Sequence, residues 1–239
     1  MKKVKMLMAM IMMILITAAS YGQGFIEPID PEFFSALSGN PCIAQLESGE
    51  IVQGKFGGGT LLNGYLSKIS IKLGNGEKAK FNPEEVVSLK IKASKLAKLS
   101  MMTQSSSIKE LTETHFDEIV DREYIVFETA LKASKKDKAR LMQLLNPGFD
   151  NRIKVYADPE ANETMGIGFG GVRLTGGADK SYLFVKDGEK AVKVKKKSYR
   201  KNFDELYSDC GQMVNAFGGG KIKWDDVAGH VFAFNQICQ

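Results

Sequence analysis

The sequence predicts an α+β chain that is mostly β. A small barrel is expected over residues 42–93, a helical connector over 94–121, and a second antiparallel β-rich domain over 122–239, closed by C-terminal helices. Three observations predict this. Between residues 42 and 92 apolar and polar side chains alternate with period two, and the runs are punctuated by Ser48-Gly49 and Asn75-Gly76, dipeptides suited to hairpin turns. The stretches EYIVFETAL, RIKVYAD and KSYLFVKDGEKAVKVK further on are rich in β-branched and aromatic residues. After residue 198 apolar residues return at helical spacing.

The chain opens MKKVKMLMAMIMMILITAASYGQ, with Lys2, Lys3 and Lys5 ahead of an uncharged run over residues 6–19 and then small residues. That is the layout of a secretory signal peptide. The run is shorter than the roughly 20 residues a spanning helix needs, so residues 1–22 are read as a cleaved signal rather than an anchor. No transmembrane segment is expected after its removal. Cleavage after Gly22 leaves Gln23 first; cleavage after Ser20 is the alternative. No cysteine follows closely, which argues against a lipoprotein. Of 33 Lys+Arg, three lie in this segment, leaving 30 against 28 Asp+Glu and a net charge of +2. So neutral a chain is not built to coat nucleic acid or anionic lipid. Residues 23–41, with Pro28, Pro31 and little periodicity, are expected as an extended leader.

Within residues 42–93, Ile69, Ile71 and Leu73 alternate with Lys68, Ser70 and Lys72, and Val87, Leu89 and Ile91 with Ser88, Lys90 and Lys92. Ile69, Ile71, Val87 and Leu89 are therefore expected in the core. The NPEE at Asn82 reads as a single helical turn before the last of five strands. GKFGGGT, starting at Gly54, has glycines and a lysine but neither the spacing nor the following helix of a phosphate-binding loop. It is expected as a flexible loop between strands. Five short strands in this order resemble small SH3-like or Sm-like barrels.

From Ser94 the pattern turns helical: SKLAKL is amphipathic, and SSSIKELTETHFDEIV offers serine N-caps ahead of Ile108, Leu111 and His115. In the second half, GIGFGG at Gly166 matches the dinucleotide pattern G-x-G-x-x-G by letter. That reading needs a strand before the glycines and a helix after them, because the pyrophosphate rests on the helix's free amides. The flanks supply neither, and Asp187 falls in the tight turn KDGE. The glycines are read as the bare face of a strand, and no cofactor is assigned. The basic run KVKKKSYRK reads as a half-exposed strand with Val192 and Val194 on one face. It leads into a helix capped by Ser198, with Tyr199, Phe203, Leu206 and Tyr207 on one side and Arg200/Asp204 and Lys201/Glu205 as i,i+4 pairs. Its lysines are a solvated face.

No catalytic, cofactor or metal residue is assigned. His115, Asp117, Glu118 and Asp121 on one helix do not all converge and read as a polar face. His230 flanks the apolar stripe of the last helix, and Cys42 reads as a small buried hydrophobe. Cysteines of exported proteins are more often bridged than free. Cys210 ends one helix, and Cys238 ends the last, whose Val227, Val231 and Phe234 recur at helical spacing. The expected disulfide is Cys210–Cys238. Cys42 replacing either partner, staying buried or pairing between molecules are the alternatives.

The ending YLFVKDGEKAVKVKKKSYRKNFDELYSDC followed by HVFAFNQIC is similar to the endings of many exported, uncharacterised proteins of Gram-negative bacteria. In them a lysine-rich hairpin runs into a short helix closing on Asp-Cys, and a final helix ends in Asn-x-x-Cys. Asp209, Cys210, Asn235 and Cys238 fall on that pattern; Gly211 stands where such proteins often have Pro. The resemblance implies an envelope location, whether periplasmic, outer-membrane associated or extracellular, and supports the bridge. It implies no activity. The expected function is therefore a non-catalytic exported module for envelope structure or for binding an envelope protein, peptide or glycan. An enzyme such as a hydrolase, with its site between the two halves, is the alternative and requires a concave pocket with perturbed acids or bases. A third class, an Sm-like nucleic-acid binder, is disfavoured by export and by the mature charge.

Overall fold

The computed structural model describes residues 25–26, 28–29, 34–62, 65–93, 123–131, 139–158, 168–169, 172–173, 181–220 and 222–238. The expected connector, with His115 and its neighbouring carboxylates, and the signal segment lie outside them.

Five strands form from residues 41–92: β1 Pro41–Leu46, β2 Ile51–Leu62, β3 Tyr65–Lys72, β4 Lys78–Phe81 and β5 Val86–Lys92. Gly49 (φ 86°) and Gly76 (φ 90°) supply the left-handed backbone of the two expected turns. Pro83–Glu85 is the expected single turn before β5, and Glu85 Oε2 accepts the Asn82 N–H at 2.6 Å. Two more strands, β6 Tyr124–Leu131 and β7 Ala139–Gln143, join the same sheet. Its order is β2-β1-β5-β6-β7-β3, and the β2–β3 pairing closes the ring into a six-stranded antiparallel barrel, with β4 added along β3. Closure thus draws on strands from both sides of residues 94–121.

The alternation of β3 is as expected, with Ile69 and Ile71 buried. That of β5 is not. Val87 is 41% exposed, whereas Val86 is buried. The β1–β5 register steps between Gln45 and Leu46, so that Ser88 faces Gln45 and Val86 faces Leu46. Val87 is the extra residue of a bulge and turns outward. The glycine stretch at residues 54–59 is likewise not a loop but the middle of the long strand β2. A Cβ on Gly54 would collide with the Lys72 carbonyl oxygen, and one on Gly59 would stand 2.5 Å from that of Lys68. The glycines let β2 lie against β3 where the sheet curls to close.

Beyond the barrel, β8 Ile153–Ala157, β11 Ser181–Lys186 and β12 Val192–Lys195 form a three-stranded antiparallel sheet in the order β12-β11-β8. Asp187 (φ 49°) and Gly188 (φ 76°) make the tight turn after β11. Gly168–Phe169 (β9) and Val172–Arg173 (β10) pair as a short hairpin, so strand rather than helix follows the first glycines of GIGFGG. Three helices end the chain: α1 Tyr199–Tyr207, α2 Gly211–Phe217 and α3 Val227–Ile237. Tyr199, Phe203 and Tyr207 are buried on one side of α1, as expected. Ser198 does not cap that helix. A 3-10 turn over Lys196–Ser198 precedes it, and the Ser198 hydroxyl turns back to the Lys195 carbonyl. Arg200 and Lys201 form no ion pair with Asp204 or Glu205. Val192 is 53% exposed although it shares a strand face with buried Val194.

The layers share strands. Ile125 and Phe127 of β6 point into the barrel core, while Val126 and Ala130 pack outward with Met142, Tyr156, Leu183 and Val185. A strand buried on both faces has to read as a continuous apolar run, as YIVF does. The other face of the second sheet, Val155, Tyr182, Phe184 and Val194, packs on α1 and α3. The leader is part of this core. Phe25 stacks edge-on with Tyr182 at 5.1 Å, Ile26 and Ile29 are buried with the barrel residues, and Phe34 meets Phe56 and Phe127 edge-on.

Candidate functional site

Sequence reading singled out the two ends of the final helices, and the structure brings them together. Cys210 precedes α2, Cys238 closes α3, and the two are bridged with their Cα atoms 5.8 Å apart. Arg152, on the approach to β8, fastens this corner. Its Nε and Nη2 donate to the two carboxylate oxygens of Asp187 at 2.8 and 2.6 Å, Nη2 donates also to Asp209 at 2.8 Å, and Nη1 donates to the Cys238 carbonyl at 2.7 Å. Lys186 donates to Asp209 and to the Leu206 carbonyl, and both cations lie over the Phe234 ring, 4.8 Å from its centre. The bonds from Arg152 hold the Asp187 carboxyl below its usual range. At Asp209 partial burial works the other way, but Lys186 and Arg152 outweigh it and the carboxyl again titrates low.

Asn235, the other residue of the motif, is fully buried. Its Oδ1 accepts the Arg152 and Ile153 amides at 3.1 and 2.8 Å, and its Nδ2 donates to the Phe149 and Ile153 carbonyls. Asn146 fastens the same bend, donating to Phe149 and Ile153 and accepting from Val155. Asp209 and Asn235 thus bind the disulfide-closed helices to residues 149–153. A buried amide with all its partners specifies one arrangement of these elements.

The remaining candidates take structural places. Cys42 is free and buried in the barrel, and burial pushes its thiol up to about 11, away from nucleophilic use. His230 is buried among Phe203, Phe217 and Tyr199, with Nδ1 2.9 Å from the Tyr199 hydroxyl. Burial lowers it to about 4, so the ring is neutral at ordinary pH.

Two features were not legible from sequence spacing. At the junction of barrel and second sheet, Glu128 on β6 accepts from Lys154 Nζ at 2.7 Å and from the Tyr156 hydroxyl at 3.1 Å, and Asp150 stands 3.9 Å from the same ammonium. Burial raises Asp150, as it raises Tyr156 far more. Lys154 pairs closely with Glu128 and more distantly with Asp150, so the cluster is an ion pair across the layers in which one cation faces two acids. The second is a cleft of about 480 Å³ on the outside of the barrel, lined among others by Lys55, Gly57, Lys72, Gly76 and Lys78. Among the described residues no group of His, Cys, Asp and Glu is arranged to hold a metal ion.

Comparison of the chain with protein-family models, with curated proteins and with solved structures found no match.

Proposed function

We propose that the chain is an exported cell-envelope module that holds or binds a partner without transforming it. The observation that carries this reading is the Cys210–Cys238 bridge, fastened by Arg152, Asp209 and Asn235. Such bonds form and persist in oxidising compartments. The signal-like layout of residues 1–22 and the resemblance of the ending to exported Gram-negative proteins support it from the sequence. No helix among the described residues is long and apolar enough to cross a membrane. Of the perturbed groups, His230, Tyr199, Tyr207 and Arg152 are engaged with one another, with neighbouring carboxylates or with backbone, which supports a structural use for them.

Fractionation of cells producing the tagged full chain tests this reading. The protein is expected in the envelope or medium and shortened at its N-terminus. Recovery of uncleaved chain from the cytoplasm alone would overturn it. The enzyme reading has the Glu128, Asp150 and Lys154 cluster in its favour. It predicts a turnover in a hydrolase substrate panel that Glu128→Gln abolishes at unchanged stability. The structural use predicts that the same change lowers stability.

A further inference from the structure

Lys55, Lys72 and Lys78 stand directly opposite one another on β2, β3 and β4: Lys55 pairs with Lys72, and Lys72 with Lys78. Residues so paired have Cβ atoms about 5 Å apart, so three ammonium groups on flexible stems share a space on the order of 10 Å wide. Like charges placed opposite one another destabilise a sheet. Here no carboxylate among the described residues relieves them. All three are exposed, and among the described residues none forms an ion pair. The one carboxylate of the β3–β4 turn, Glu77, accepts instead from Asn75 at 2.8 Å. Lys80, opposite Ser70 on the same face, adds a further cation.

The cleft these lysines line has a floor kept open by a glycine. A Cβ on Gly57 would stand 2.7 Å from Ser70 Oγ and 3.3 Å from Lys78 Cε. Ser70 Oγ, beside that floor, is buried and has no hydrogen-bond partner among the described residues. An unrelieved cation row, an open floor and a buried hydroxyl in want of a partner occur at one place. The arrangement is complementary to a compact multivalent anion with several acceptor oxygens.

We propose that this cleft binds a phosphate-type anion, a phosphomonoester or diphosphate group, through Lys55, Lys72 and Lys78. The Ser70 hydroxyl donates to it once the Lys78 stem moves aside. A compact group fits better than a long polyanion because the mature chain carries a net charge of only +2, whereas polymer binding takes an extended basic surface. This assignment rests on the reading of the chain as a binding module. It is tested on purified protein, so its failure removes the site, while fractionation decides export separately.

The test is calorimetric titration with sodium pyrophosphate at constant ionic strength, on wild type and on Lys72→Gln, the central lysine of the row. One saturable site is expected, weakened about tenfold or more in the variant. Without ligand, Lys72→Gln is expected to melt at or above the wild-type temperature, because a repulsion is removed, and to lose the rise that pyrophosphate gives the wild type. Vesicles of phosphatidylcholine with added phosphatidate separate the sources. Sedimentation competed by pyrophosphate assigns the site to a lipid headgroup, and binding of the free anion without sedimentation assigns it to a soluble phosphoester. No binding, equal binding in the variant, or a ligand-free variant less stable than wild type would overturn the proposal. So would affinity that grows with oligonucleotide length and ignores Lys72→Gln.

Discussion

Acidification is expected to loosen the helical end of the molecule well before its carboxylates titrate, through His230. The ring is buried between the Phe203 and Phe217 rings, each about 5.0 Å away, and its Nδ1 meets the Tyr199 hydroxyl. Burial is the main cause of its low native value, about 4 against 6.5 in the unfolded chain, and the charge of Asp226 opposes the shift only in part. Because the native value is the lower one, the unfolded chain takes up the proton first as pH falls. The stabilisation is complete above about pH 6.5 and drains away towards pH 4. For native and unfolded values of about 4 and 6.5 the loss by pH 4.5 is about 2.5 kcal/mol. Asp187 and Asp209, both held low, lose their contributions as pH falls from the ordinary carboxylate value towards their lower native values, for the most part below this window. The assay is urea unfolding between pH 7 and 4.5, followed by the fluorescence of Trp224, the chain's one tryptophan, which stacks on Tyr182 and meets Tyr199 edge-on. His230→Gln keeps an acceptor for Tyr199 and is expected to flatten the profile, with His115 still present in both proteins. A flat wild-type profile, or equal slopes in the two proteins, would refute the reasoning.

Three substitution series probe the rest of the fold. Ile71→Asp buries an unpaired charge in the barrel and should cost about 4 kcal/mol, whereas Val87→Asp, on the bulge, should change stability by about 0.5 kcal/mol or less in chemical denaturation. Gly59→Ala forces a Cβ against the Lys68 carbonyl and Leu66 and should cost about 2 kcal/mol. Gly74→Ala, with open space and ordinary backbone, should be neutral or slightly stabilising in the same melts. Cys210→Ser opens a loop spanning 28 residues and should lower the unfolding free energy by about 3.5 kcal/mol, read by Trp224 fluorescence under non-reducing conditions.

Where local pattern and tertiary environment agree, the sequence was legible. Ile69 and Ile71 alternate and are buried; Gly49, Gly76 and Gly188 stand where positive φ is needed; Tyr199, Phe203 and Tyr207 line one helix face. Reading failed where the deciding contact is remote. Nothing near Gly54, Gly57 and Gly59 says that the carbonyls of β3 leave no room for side chains, so a glycine-rich strand passes for a loop. Val86 and Val87 are equally apolar, and only the register against β1 decides which is buried. The closing strands β6 and β7 arrive after residues 94–121, at a sequence distance that no local pattern spans. The same holds for the site residues. Cys210 and Cys238 could be paired from helix ends, but Arg152, Glu128 and the Lys55–Lys72–Lys78 row have functional neighbours only once strands are aligned.

The most direct test of the account is the intact mass of the protein recovered from the envelope or medium, alkylated in denaturant without reduction. The account predicts the mass of residues 23–239, or of 21–239 if cleavage falls after Ser20, carrying a single alkyl group on Cys42. After reduction all three cysteines should be labelled. A mass that still includes Met1, or three labelled cysteines without reduction, would contradict it.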